Sequence, residues 1–241
     1  MSLFVMADLH LSTDRSKSME VFGPRWAGYT EKIRRNWCAV VKPTDTVVIP
    51  GDISWGLRLE DTVADFRFLD TLPGEKIIGK GNHDFWWSTQ SKLNAFFEAN
   101  GLKTIRLLSN NAYLREGVLL AGTRGWFLEE DRQKAVGEVD YAKIVNREVI
   151  RLRMSLDDAQ RLRNNFPEAQ TLVFLHFPPV WGDFVCREIL DVLHEYGITR
   201  CYYGHIHGAY YMPQTRSYEG IDFTNCAADY LNFAPLPVKP D

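Results

Sequence analysis

Five short apolar runs in this chain each stop at a turn that carries aspartate, asparagine or histidine, and this pattern limits the fold more than any other feature. Leu3 to Ala7 runs into Asp8-Leu9-His10, Thr46 to Ile49 into Gly51-Asp52, and Lys76 to Gly79 into Gly81-Asn82-His83-Asp84. Thr171 to Leu175 leads to His176, and Thr199 to Tyr203 leads to Gly204-His205-Ile206-His207. Runs of this length, bounded by turn residues, read as buried strands. Helical patterns lie between them, over 30–41, 59–69, 88–99 and 186–196. Pro73-Gly74 ends the second of these, and Ser88 and Gly101 are placed as N-cap and stop of the third. The alternation predicts a largely parallel sheet with helices on its faces. Ligands of such sheets gather beyond the carboxyl ends of the strands. Residues as distant in sequence as 8 and 207 are therefore expected to converge.

The middle and the end of the chain change character. Residues 111–114 and 118–121 read as short strands around a turn at Glu116-Gly117, followed by a polar loop and a helical stretch over 141–164, continuous or broken once. Further β structure is expected near 209–212 and 221–225, which predicts a second sheet. The tail from Pro235 to Pro240 cannot continue a helix or a central strand and reads as a terminal extension. A length of 241 residues with 45% hydrophobic content fits one α/β domain over 1–241 with a sizeable core.

Charge and cysteine usage narrow the partners. The balance of 28 basic against 31 acidic residues, net −3, argues against a dedicated nucleic-acid binder and leaves a small phosphate-ester substrate, nucleotides included. No apolar run approaches the ~18 residues of a membrane span, so no membrane partner is expected. Nothing in the first thirty residues reads as a signal peptide. Cys38, Cys186, Cys201 and Cys226 form no C-x-x-C pair and read as small hydrophobes in a reducing, cytoplasmic compartment.

The residue types at the strand ends fit metal binding. Aspartate and asparagine offer oxygen and neutral histidine offers nitrogen; no cysteine takes part, which sets the set apart from closed structural zinc sites. Mixed carboxylate and imidazole ligands suit Mn, Fe, Zn or Ni. The i, i+2 spacing of Asp8/His10 and of His205/His207 puts both members on one side of an extended chain. Five of the six histidines sit in these motifs, and the sixth, His194, reads as a solvent-facing helix residue. Each block alone has an ordinary structural reading; all five in order carry the argument.

The order Asp-x-His, Gly-Asp, Gly-Asn-His-Asp, His, Gly-His-x-His resembles the calcineurin-like metallophosphoesterase superfamily over residues 8 to 207. The resemblance implies an α/β fold, a two-sheet β-sandwich flanked by helices, with two divalent metal ions at its edge. It implies that Asp8, His10, Asp52 and His207 hold one ion and that Asp52, Asn82, His176 and His205 hold the other, with Asp52 as bridge. His83 then binds no metal and faces the substrate. Asp84 either orients His83 or caps the following helix. Two such ions clamp a phosphate and acidify a shared water, whose hydroxide attacks phosphorus in line. His83 would protonate the leaving oxygen or stabilise it electrostatically. The expected activity is hydrolysis of phosphomonoesters or phosphodiesters. Cyclic-nucleotide hydrolysis is the rival within that class, and a non-catalytic protein-binding scaffold is the alternative outside it.

Substrate-choosing residues are less marked. Trp55 and Trp86 follow motif residues closely, and Trp126 follows Arg124-Gly125 at a strand end. Trp26 and Trp181 lie farther from the motifs. These rings either form an aromatic wall beside the metals or pack loops onto the sandwich. Arg124, and less directly Arg25, are the arginines placed to take a phosphate oxygen. The basic residues between Arg147 and Arg163 are interleaved with Glu148, Asp157 and Asp158 and read as a solvated helix face.

Overall fold

The computed structural model of the protein describes residues 1–12, 17–127 and 141–239. One sheet contains β1 (Leu3–Val5), β2 (Thr46–Pro50), β3 (Glu75–Gly79) and β4 (Ile105–Leu107), all parallel. The other contains β5 (Tyr113–Arg115), β6 (Val118–Thr123), β7 (Gln170–Leu175), β10 (Arg200–Tyr203), β11 (Thr215–Tyr218) and β12 (Ile221–Asn225), in the order β11-β12-β10-β7-β6-β5. Its centre is parallel, and its two edges, β5 and β11, are antiparallel. A small hairpin, β8 (Val180–Trp181) with β9 (Phe184–Val185), stands apart.

Period-two alternation explains why the two sheets stack. Leu3, Val5, Val48, Ile77, Leu120, Leu172 and Phe174 point between the sheets and pack as one buried cluster. Their strand neighbours Phe4, Val47, Ile49 and Ile78 point the other way, under α1 (Tyr29–Val40), α2 (Val63–Thr71) and α3 (Gln90–Ala99). Val173 and Leu175 likewise face α4 (Tyr141–Arg163) and α5 (Arg187–Glu195). Strands buried on both faces read as continuous apolar runs, which is why the sequence marks them so clearly. The result is two sheets face to face with helices outside each. A lone parallel bridge, Ala7 to Ala227, ties the end of β1 to the end of β12 and brings the carboxyl ends of both sheets together.

Several sequence-based boundaries shift. The Pro-rich tail is not a free extension: β13 (Leu236–Val238) pairs antiparallel with β1, with Pro237 opposite Phe4. The exclusion of proline holds for central strands, whereas this strand lies on an edge. The late β structure lies at β11 rather than at 209–212. The three residues of β4 were too few to show as a run. The helix over Tyr141–Arg163 is continuous. Thr89, not Ser88, caps α3, its side chain accepting from Lys92 N at 3.4 Å. His194 lies in α5 beside exposed Glu219, 3.2 Å away.

Lys76, in β3, is a buried cation away from the strand ends. It is 0% exposed, and its Nζ donates to the carbonyls of Leu72 and Gly74 at 2.6 and 2.9 Å. Burial pushes its pKa down from 10.5 to about 8. Between those values the unfolded chain keeps a proton that the folded chain has lost, so folding stability rises with pH through this window. Denaturant titrations at intervals from pH 8 to 10.5 should show that rise in the wild type, and Lys76→Met should remove it. An identical slope in both proteins would place the titration elsewhere.

Candidate metal centre

The candidate ligands leave their strands through strained turns. Asp8, His10, Asp52 and His205 have φ of 61°, 44°, 53° and 69°, four of the nine non-glycine residues with positive φ among the described residues. Each such conformation costs of order 1–3 kcal/mol and persists only where its surroundings enforce it. The turns, not an extended chain, bring Asp8 and His10 to one side, which corrects the spacing argument made from sequence. Backbone bonds hold the first two turns together: Asp8 N donates to Gly51 O at 3.0 Å and His10 N to Asp52 O at 2.9 Å. Gly81 and Gly204 admit the carboxylates, since a Cβ at either would overlap the side chain of Asp52 or Asp8 respectively.

The seven candidate ligands lie at this junction, and five of them form two overlapping groups. Asp8, His10 and His207 offer donor atoms within 4.8 Å of one another, and so do Asp8, Asp52 and His176. Asp8 is common to both groups, and Asp52 Oδ2, in the second, lies 3.5 Å from His176 Nε2 and also 3.6 Å from His10 Nε2 of the first. Asn82 Oδ1 is 2.6 Å from His176 Nε2. The His205 ring sits 5.3 Å from the His176 ring, while its backbone N–H donates to Asp8 Oδ2 at 2.9 Å.

The atoms that meet here are acceptors. His176 Nδ1 faces the Pro50 carbonyl at 3.2 Å and His207 Nδ1 faces the Asp229 carboxylate at 2.8 Å, so in the neutral ring the proton belongs on Nδ1 and Nε2 is the atom free to ligate. The two Nε2 atoms, Asp8 Oδ1, Asp52 Oδ2 and Asn82 Oδ1 thus direct lone pairs inward. Asp8 Oδ1 is buried without a hydrogen-bond partner. Burial pushes Asp8 up to about 7 and Asp52 well above the usual carboxylate range, and it pushes His10 and His176 well below the usual imidazole range. Burial thus disfavours charge on these four groups, whereas His207, although buried, is raised above the usual imidazole range by its bond to Asp229 and by Asp8. A bound metal cation would relieve the convergence, and the donor set fits one.

His83 stands beside this set. Its backbone N–H donates to Asp52 Oδ1 at 2.8 Å, and its ring lies 5.5 Å from the His10 ring and 4.4 Å from Trp55. It lines a cleft of about 750 Å³ together with His10, Asp52, His205 and His207. Asp84 has a different task from the one expected. Its two oxygens accept backbone N–H bonds from Asp52, Ile53, Ser54 and Gly81 at 2.8–3.4 Å. It clamps the loops after β2 and β3 and neither orients the His83 ring nor caps α3.

The proposed substrate contacts divide. Trp55 borders the cleft, stacked on His10 at 4.9 Å. Trp86 does not: it is 3% exposed, edge-on to Phe66 at 5.0 Å, with Nε1 donating to Ser54 O at 3.3 Å. Trp126 packs against Tyr141 and Phe177. Arg124 turns its guanidinium to Glu148, 3.4 Å away, and serves the site through its carbonyl, which accepts from the backbone of His176 and Phe177. Arg25 donates to the carbonyls of Asp229 and Tyr230.

The sequence reading missed Asp229. This buried carboxylate accepts from His207 Nδ1, from Gly208 N at 3.0 Å and from the Tyr210 hydroxyl at 2.7 Å. It fixes the tautomer and direction of His207. Its signal was positional: Asp229 follows the end of β12 as the others follow their strands, but no glycine or histidine marks it.

The sequence model of the calcineurin-like phosphoesterase family matches residues 1–209. The chain belongs to that family. Its members hydrolyse phosphoesters with metal, and the Asp/His groups described above supply the candidate metal-binding set. Similar solved structures include the phosphopantetheinyl hydrolase PptH from Mycobacterium tuberculosis, with 15% identity over 100% of this chain and 96% of that one, TM-score 0.56. TT1561 of Thermus thermophilus is 10% identical over 98% of this chain and 97% of that one, TM-score 0.55. At these identities the likeness concerns the fold. No curated protein matches the chain.

Asp229 lies beyond the matched residues, which makes its contribution to this phosphoesterase separable. Asp229→Asn should weaken metal binding by about 10–100-fold, the usual range for a group that orients a ligating histidine. Calorimetric titration of metal-stripped protein with Mn²⁺ reads this directly. Unchanged affinity in a folded variant would show that His207 needs no such support.

Proposed function

We propose that this phosphoesterase is a dinuclear enzyme that hydrolyses phosphomonoesters or phosphodiesters, with Asp52 shared between its two ions. The position of Asp52 Oδ2 between the nitrogens of His10 and His176 carries this reading. Asp8, His10, Asp52 and His207 would hold one ion, and Asp52, Asn82, His176 and His205 the other. Bound there, Mn, Fe, Zn or Ni ions would supply positive charge for the phosphoryl oxygens and acidify a water enough to attack at neutral pH. Asp8 and Asp52 supply the anionic charge that retains the cations. Asp84 holds the loops that present Asp52 and Asn82 at a fixed separation. His83, on the cleft side of the cluster, donates its proton to the departing oxygen.

Other features accord with a small-molecule hydrolase. The four cysteines are free thiols, three of them buried, as suits a cytoplasmic location. No helix among the described residues is long and apolar enough to cross a membrane.

Metal-stripped protein reloaded with Mn²⁺ should bind about two ions per chain and hydrolyse p-nitrophenyl phosphate or its bis ester. Asp52→Asn should weaken both sites together. Full loading and no turnover of either ester would favour a scaffold over an enzyme.

His83→Ala should leave metal content nearly unchanged while lowering turnover by about 10²–10⁴-fold. The loss should be smaller for p-nitrophenyl esters, whose leaving group hardly needs a proton, than for alkyl esters. Equal losses across leaving groups would assign His83 to positioning or charge stabilisation instead.

A further inference from the structure

The walls of the cleft differ in kind from its floor. The floor is the His/Asp cluster. Trp55 begins one wall, stacked on His10 and close to His83, and Trp26 sets its edge against His10 at 6.2 Å and His207 at 5.6 Å. Phe127, another lining ring, lies 5.7 Å from the His205 ring and 4.9 Å from Phe184. Apolar surface therefore starts immediately beside His10 and His207 and again beside His205.

At the mouth the aromatic character continues where solvent would ordinarily select against it. Phe22 is 68% exposed and Tyr211 86%, and both line the cleft. Large apolar side chains left open beside a cleft mark a surface that a ligand covers. The mouth is also held in place. The Tyr210 hydroxyl donates to Asp229, and the Arg25 guanidinium lies 4.1 Å over the Tyr210 ring. Arg25 is thereby engaged as a wall support. Among the described residues that line the cleft none is lysine or arginine.

We propose that the substrate is a phosphate ester whose organic part is large, apolar and uncharged, lying between Trp55 and the Phe22 and Tyr211 rings while its single phosphate meets the metal cluster. This rests on the hydrolase reading above and names the substrate class of that site. The cleft volume, about 750 Å³, falls in the range of pockets that bury an extended organic ligand. A second phosphate on the substrate would lie against aromatic walls without a counter-charge from the described lining, a costly placement. Apolar burial instead adds to binding with each methylene covered.

Ethyl-, butyl- and octylphosphonate cannot be hydrolysed and differ only in apolar length, so calorimetric titration of Mn²⁺-loaded protein reads the walls apart from catalysis. Affinity should rise at least about tenfold from ethyl to octyl, a conservative figure for the methylenes buried. Phe22→Ala combined with Tyr211→Ala should flatten the dependence. In parallel, kcat/KM for ethyl to octyl phosphates, and for 4-nitrophenyl diesters of the same alcohols, should follow the same order, because the spectator or leaving alcohols are chemically matched. ADP should be a poorer substrate than octyl phosphate. Flat phosphonate affinities, or tighter binding of ADP than of octylphosphonate, would overturn the inference. Chain-length-dependent binding without turnover of any ester would instead overturn the hydrolase reading and leave the apolar pocket standing.

Discussion

Lone pairs that meet in a dry place are the constraint around which this molecule is organised. Asp8 Oδ1, Asp52 Oδ2, Asn82 Oδ1 and the Nε2 atoms of His176 and His207 converge where the carboxyl ends of two sheets come together. Desolvation opposes the ionised forms of Asp8, Asp52 and His176, and the convergence of acceptors opposes the geometry. Such an arrangement survives only if the surrounding fold over-determines it, and bound cations would make it favourable.

Over-determination is visible in the supports. Asp84 uses a buried carboxylate to gather four backbone amides from two loops, so the turns that carry Asp52 and Asn82 move as one piece. Asp229 does the same for His207, Gly208 and Tyr210. The Arg124 carbonyl ties the segment after β6 to His176 and Phe177 at the end of β7. The left-handed backbones of Asp8, His10, Asp52 and His205 are the visible strain in this scheme, and the packed layers on either side of the sheets offset it. Two of the supports, Asp84 and Asp229, also join chemistry to recognition. The first joins the two loops that carry Trp55 and His83, and the second ties a ligand to the aromatic mouth through Tyr210.

Legibility in the sequence followed burial. Strands covered on both faces require unbroken apolar runs, so β1, β2, β3, β7 and β10 and the polar residues that end them stood out. Edges were harder. β13 contains proline, β11 alternates exposed and half-buried positions, and β4 is three residues long; none concentrates enough apolar surface to announce itself. The aromatic side chains were ambiguous for a different reason. Closeness along the chain puts Trp55 and Trp86 near the ligands alike, yet one ring stacks on His10 and the other fills the space beneath Phe66.

Sequence alone determined the family resemblance, the two-sheet α/β class and the roster of seven candidate ligands with His83, because acids, amides and imidazoles at the ends of buried strands have few other uses. Tertiary structure decided which side chains serve one another. The turn of Asp84 toward backbone amides, the pairing of Arg124 with Glu148, the burial of Trp86 and the support of His207 by Asp229 all depend on partners distant in sequence. Their directions are set by hydrogen-bond geometry and packing across loops, and neither leaves a periodic trace in the order of residues.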